Sequence, residues 1–259
     1  MADYTFLDLI PAFAEQEHGE GWNHIFGDPV LNPSAAVGIT HVVFTGVLVL
    51  LITVLALVAS RKYRKRDEAL VPVGKFSVAG FFEVLFEAVM GMMSDLMGKK
   101  AAKKFFPLIA SLAVFIYLGN LMGLVVGFAP PTSNLNTGLA CAIVVFLVYN
   151  VSGFMEQGFG YIKHFMGPIL LLAPLIFIIE LVGHAFRPVS LAVRLTGNMT
   201  GDHMVLGVFG DLAAGIFGVP FLIPVPFLFL GLLVCTIQAL VFSLLSSIYI
   251  ALAIEHEDH

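Results

Sequence analysis

"FFPLIASLAVFIYLGNLMGLVVGFAPPTSNLNTGLACAIVVFLVYNVSGFM", residues 105–155, is a run of 51 residues without one charged side chain. As a single helix it would reach about 77 Å at 1.5 Å per residue, more than twice a hydrocarbon core of about 30 Å. The chain must therefore turn inside it. The turn is written in "FAPPTSNLNTG", residues 128–138. Pro130 and Pro131 cannot continue a helix interior, and Ser, Asn and Thr favour local side-chain to backbone bonds. Residues 105–167 read as a transmembrane hairpin that crosses, turns and comes back.

Composition agrees with that reading. The 259 residues are 59% hydrophobic and 12% charged, with mean hydropathy +0.96, whereas soluble domains are about half apolar and a quarter charged. This is an integral membrane protein, and nucleic acid is not an expected partner. Cys141 and Cys235 both lie in apolar runs, with neither a disulfide framework nor metal-ligand spacing. The apolar patch before Glu15 lacks the basic flank and the length of a cleavable signal.

Outward from the hairpin, residues 42–60 form a charge-free run of 19 that matches one crossing. It ends at "RKYRKR", residues 61–66. Ten of the thirteen basic residues lie between Arg61 and Lys104, while residues 1–41 hold none and carry Asp3, Asp8, Glu15, Glu17, Glu20 and Asp28. The positive-inside bias puts the basic segment in the cytoplasm and residues 1–41 outside, as an extracytoplasmic arm. Residues 42–104 then comprise the first crossing, the basic segment and "FSVAGFFEVLFEAVMGMMSDLMG", residues 76–98. In that last stretch Gly80, Glu83, Glu87, Gly91, Ser94 and Gly98 share one side at helical spacing. The pattern predicts an amphipathic helix in the membrane plane; its acidic polar face also suits a partner subunit.

Residues 168–259 hold two apolar stretches, 168–210 and 212–254, divided by Asp211. Each is about 65 Å long if helical, so each is two upright spans or one steeply tilted helix. Pro220, Pro224 and Pro226 divide the second stretch into a loop and a helix over 227–254. The expected architecture is all-α and polytopic, with about five transmembrane helices and a cytoplasmic C-terminus.

Charged residues between Glu156 and Glu255 are few. Lys163, Arg187 and Asp211 fit helix ends from which they snorkel. Arg194 lies mid-stretch, where a charge costs from about 2.5 to more than 10 kcal/mol. Glu180 lies about 21 Å away along a helix and Asp202 two turns ahead. Neither stands three or four residues off, so the partner must be water, a lipid headgroup or another protein. Asn198 shares that face. Gly197 and Gly201 form a small-xxx-small pair suited to close helix approach, either with another protein or within this chain. Gln238, alone in its apolar run, is a candidate to solvate whatever meets Arg194, or else an interhelical hydrogen-bonding group. Glu180 and His184 share one helix face, and Asp202 and His203 lie beyond Arg194, so proton-carrying groups flank one fixed cation. No third ligand gives either histidine a metal site, and no nucleophile elbow, phosphate loop or zinc-protease pattern is present.

Three separated segments, "YLGNLMGLVVGFAPPTSNLNTGLA" (117–140), "RPVSLAVRLTGNMTGDHMVL" (187–206) and "IQALVFSLLSSIYIALA" (237–253), resemble in order the subunit a family of F-type ATP synthases. The resemblance runs from about Phe105 to the C-terminus. It implies a non-catalytic stator subunit of a rotary ATP synthase in a bacterial inner membrane, without a cofactor. It implies as partners the ring of c subunits, the peripheral-stalk b subunits and membrane lipid. By the same resemblance Arg194 is the essential arginine facing the ring, Gln238 is its neighbour on the last helix, and Asn198 is the asparagine that follows it. Glu180 matches the acidic residue of the cytoplasmic half-channel, and His203 the position tied to the outer half-channel. The last two helices are then long, tilted and curved along the ring. Where relatives often carry His or Glu, seven residues before Gln238, this chain has Gly231, and Asp202 is expected to replace part of that function. The carried ion is H⁺ or Na⁺, since the selecting carboxylate belongs to the ring. An independent secondary transporter and a non-conducting scaffold are the alternatives; the first calls for inverted repeats and broken helices, neither of which is evident.

Overall fold

A computed structural model describes residues 40–63, 78–125, 128, 130–158, 173–217 and 224–254. The N-terminal arm, most of the basic segment, Lys163, Pro220 and the C-terminal "EHEDH" lie outside the described residues. Among those described there is no strand. Five long helices follow in order, α1 (Thr40–Tyr63), α2 (Val78–Met122), α3 (Leu135–Gln157), α4 (Ala173–Phe217) and α5 (Pro224–Ile254). Each contains a segment long and apolar enough to cross a membrane.

The 51-residue run turns where its sequence says. Helix α2 ends at Met122, a single 3-10 turn covers Pro131–Ser133, and α3 begins at Leu135. Asn134 caps α3, its side-chain oxygen accepting from the Asn136 amide at 2.9 Å. Beneath the turn, the Thr132 hydroxyl donates to Asn120 Oδ1 at 2.7 Å, and both residues are almost fully buried. A buried pair of this kind contributes about 1 kcal/mol, and losing one partner costs about 1–3 kcal/mol because the other is stranded. At the opposite end of the hairpin Lys104 Nζ meets Glu156 at 3.1 Å, and Gln157 Nε2 donates to the Ala253 carbonyl at 3.2 Å. The start of the hairpin, its finish and the last turn of α5 therefore share one end of the bundle.

Helix α2 joins the stretch expected as an amphipathic helix over 76–98 to the first helix of the hairpin. At Gly98 the backbone takes φ 75° and ψ 157°, a conformation that L side chains rarely adopt, and the helix reverses. Phe81 and Tyr117 lie about 25–29 Å from Gly98 along their respective arms, yet their rings stack with centroids 5.7 Å apart. Two arms that still touch so far from their hinge run nearly antiparallel. The first arm, 78–97, thus lies alongside the second, 99–122, rather than at right angles to it. Val89 and Met93 of the first arm join Ala102, Phe105 and Ile109 of the second in the main core, to which α3, α4 and α5 also contribute. Sequence periodicity finds the apolar stripe of this helix but not which part of it protein covers: Phe82, Val89 and Met93 are buried, while Val84 is exposed.

Helix α4 is one continuous helix of 45 residues, about 67 Å, and α5 has 31, about 46 Å. The alternative left by length is resolved: these are single helices, too long to stand upright in a bilayer. Asp211 falls inside α4 rather than between two helices, and Pro188 is accommodated within it. Pro224 and Pro226 occupy the first turn of α5, where a missing amide hydrogen costs nothing, so the helix starts three residues earlier than expected.

Two outcomes test this architecture. With Cys141 and Cys235 replaced, the double variant F81C/Y117C cross-links with a short bifunctional reagent; failure to cross-link would show that the two arms of α2 do not lie side by side. Thr132→Val lowers thermal stability in detergent by about 1–3 kcal/mol, and an unchanged unfolding curve would show that Asn120 finds another partner.

Candidate functional site

What aims Arg194 is the opposite face of its own helix. Leu191, Ala192, Leu195 and Met199 are buried against the bundle. The fit with α3 is close because Gly138 sits there: a Cβ at that position would come within 3.2 Å of the Ala192 carbonyl and 3.3 Å of Thr196 Oγ1. With that face packed, Arg194 stands on the outward one, exposed together with Val193, Gly197, Asn198, Gly201 and Met204. A Cβ built on Gly183, Gly197 or Gly201 meets nothing within 4 Å. The small-xxx-small pair is not used for packing within the described chain. It leaves a shallow apolar strip, and Arg194 is its charged group.

Arg194 makes no ion pair or hydrogen bond among the described residues, and neither Glu180 nor Asp202 of its own helix meets it. Glu180 pairs with Arg187, Oε1 to Nη2 at 3.5 Å, and the Arg187 guanidinium lies 5.3 Å from the centroid of the Tyr249 ring on α5. Arg187 is thus not a snorkelling residue at a helix end, as its sequence position suggested. The missed signal was the spacing: seven residues are two turns, which drift by only about 20° around an ideal helix, and two long side chains span the gap. Asp202 is half-buried on α4, and its Oδ2 has no hydrogen-bond partner among the described residues. It does not reach Arg194. The side chain of His203 lies outside the described residues.

Two of the expected polar residues are brought together. Asn198 Nδ2 donates to Gln238 Oε1 at 2.5 Å, joining α4 to the middle of α5. Gln238 is buried, and its apolar neighbours give its amide few other partners. The bond holds Asn198 beside Arg194. His184, also buried, is held from α3: its Nε2 lies 2.8 Å from Asn150 Oδ1 and 3.3 Å from the Tyr149 hydroxyl. Those α3 residues carry no sequence signal that links them to α4. Gly231 is buried where α5 crosses the end of α2, and a Cβ there would come within 2.7 Å of Leu124 Cδ2. The departure at this position therefore coincides with a tight apolar contact.

The site is thus a half-paired polar ridge along α4. One cation is matched at Glu180–Arg187, one is unmatched at Arg194, and one acid is set apart at Asp202. Among the described residues no group of three His, Cys, Asp or Glu side chains could hold a metal ion.

A family model described as ATP synthase A chain matches residues 42–251. The ATP synthase subunit a of Trichlorobacter lovleyi is 49% identical over 214 residues, covering 83% of this chain and 86% of that protein. That of Geobacter sulfurreducens is 44% identical over 218 residues, covering 84% and 89%. That of Sorangium cellulosum is 42% identical over 221 residues, covering 85% and 84%.

Because Gly197 and Gly201 face open space, Gly197→Ala and Gly201→Ala should each stabilise the isolated chain by up to about 1 kcal/mol through helix propensity alone. A loss of stability in thermal unfolding of the purified subunit would reveal an intrachain neighbour.

Proposed function

The chain belongs to the ATP synthase A chain family, and from that premise we propose that it is the ion-conducting stator of the membrane sector, with Arg194 facing a ring of c subunits. It is a multi-pass membrane protein and a component of an ATP synthase complex. In the proposed reading it is non-catalytic, sits in a bacterial inner membrane with its N-terminus outside and its C-terminus in the cytoplasm, and also contacts peripheral-stalk b subunits. Residues 1–41 form the outer arm, 42–104 and 105–167 the supporting helices, and 168–259 the ion path.

The single observation that carries the reading is an exposed Arg194 with no counter-ion among the described residues, on a helix face lined with glycines. An unpaired cation in hydrocarbon costs several kcal/mol, so this face calls for a carboxylate from outside. A c-ring carboxylate supplies it. Away from Arg194 such a carboxylate is desolvated and favours its neutral form; beside the guanidinium its charged form is favoured and its proton is released. The same fixed charge repels an excess proton, which keeps two aqueous inlets from joining. An ion then crosses only by riding the ring around. Each elementary charge moved through 100 mV contributes about 2.3 kcal/mol.

On the cytoplasmic side the inlet is assigned to Glu180 and His184. On the outer side it is assigned to His203 and Asp202, with Asp202 compensating for the acid or base that Gly231 lacks. Asn198 and Gln238 hold the polar environment of Arg194, and Gly197 and Gly201 admit the ring helix. The translocated ion is the proton, with Na⁺ open to the ring carboxylate's choice.

Arg194→Ala should abolish ATP-driven proton pumping in inverted vesicles while the assembled complex keeps ATP hydrolysis; retained pumping contradicts the assignment. Gly197→Leu should block rotation-coupled transport by filling the strip, without unfolding the subunit. Normal transport in that variant would mean the strip faces lipid.

A further inference from the structure

His184 can exchange a proton at either ring nitrogen, and which one it uses depends on what holds the ring. Asn150 Nδ2 donates to the Phe146 carbonyl at 2.7 Å. A carbonyl only accepts, so the amide end of Asn150 is fixed there and its oxygen is turned toward His184. That oxygen lies 2.8 Å from His184 Nε2. Since an amide oxygen also only accepts, Nε2 must carry a hydrogen. The Tyr149 hydroxyl oxygen, 3.3 Å from the same nitrogen, accepts a second branch of that N–H. The rings of Phe146 and Tyr149 pack against the imidazole, with centroids 5.2 Å and 5.1 Å from it. Among the described residues the nearest charges are Glu180, four residues before, and Arg187, three residues after, and these are paired with each other. Among the described residues Tyr149 from α3 is also a titratable group against the ring, and Tyr249 from α5 stands behind it, 6.0 Å from Tyr149.

We propose that Asn150 is a positioning residue that holds His184 in its Nε2–H tautomer, so that any proton this histidine takes up or releases is carried on Nδ1. The inference rests on the reading of His184 as part of the cytoplasmic proton path only for its consequence in transport; the tautomer follows from the hydrogen bonds alone. Taking up a proton makes Nδ1 an N–H and the ring an imidazolium, and losing that proton reverses the step, while Nε2–H stays bonded to Asn150 throughout. A fixed Nε2–H gives the relay one entry atom instead of two.

The test is ¹⁵N nuclear magnetic resonance on the purified complex with ¹⁵N-labelled histidine. The chain has eight histidines, so His184 is assigned by difference from His184→Gln. The expected result is an amine-like resonance at Nε2 and an imine-like one at Nδ1 whenever the ring is neutral. Asn150→Leu should move the tautomer ratio toward Nδ1–H by on the order of fivefold, the worth of one net hydrogen bond, whereas Tyr149→Phe, which removes only the longer branch at 3.3 Å, should move it less. An imine-like Nε2 in the unaltered protein, or no response to Asn150→Leu, overturns the proposal, and the first of these needs no variant to fold. If the tautomer is as stated and His184→Gln pumps protons normally, the placement of His184 in the ion path fails while the role of Asn150 stands.

Discussion

A guanidinium that cannot lose its proton, held at membrane depth by a helix whose other face is packed, sets the terms for the rest of this molecule. Leu191, Ala192, Leu195 and Met199 fix the rotation of α4 against the bundle, and the rotation leaves Arg194 facing out. Were α4 turned by a third of a revolution, Arg194 would enter an apolar core with no acid to meet it. The packing of Gly138 onto the α4 backbone and the Asn198–Gln238 bond restrict that turning from two sides.

The supporting helices make this arrangement stiff by uneven means. Apolar contact does most of it: the reversed first arm of α2, the second arm and α5 interdigitate through Val89, Met93, Ile109 and Ala239. Polar ties sit at the two ends, Thr132–Asn120 beneath the turn and Lys104–Glu156 at the other end. Helix α4 takes less part in this core, since only 17% of its spanning window is buried. A helix with so little intrachain cover, yet carrying most of the chain's polar groups at membrane depth, is suited to meet a second protein. The two half-buried acids of α4 are also kept apart, Glu180 pairing with Arg187 and Asp202 on the far side of Arg194. An ion path interrupted by a fixed charge calls for that spacing.

Much of this was legible from residue types alone. A charge-free run of 51 with two prolines near its centre must turn in the membrane, and it does so between Met122 and Leu135. Excess length alone indicated the tilt of α4 and α5. Arg194 declared itself by its cost. What escaped was information carried between segments. Nothing near Gly98 distinguishes a hinge from a flexible link, so the packing of the first arm alongside the second has no signal in the sequence. Asp211 looks like a boundary because charges end apolar runs, yet α4 continues through it. Arg187 resembles a snorkelling residue by position because its acid, Glu180, stands two turns away and not at the usual three or four residues. His184 was a candidate from its position, but its partners Tyr149 and Asn150 lie on another helix, and no local pattern joins them.

The central claim is that a carboxylate of a ring subunit occupies the face of α4 around Arg194. Its most direct measurement is photo-cross-linking from a cysteine-attached probe at Val193, in the assembled complex within native membrane, with the captured peptide identified by mass spectrometry. The account predicts peptides of a small two-helix ring protein, centred on the stretch that carries its membrane-embedded acid. Capture of lipid alone, or of this chain's own helices, would mean that the charge on Arg194 is met some other way.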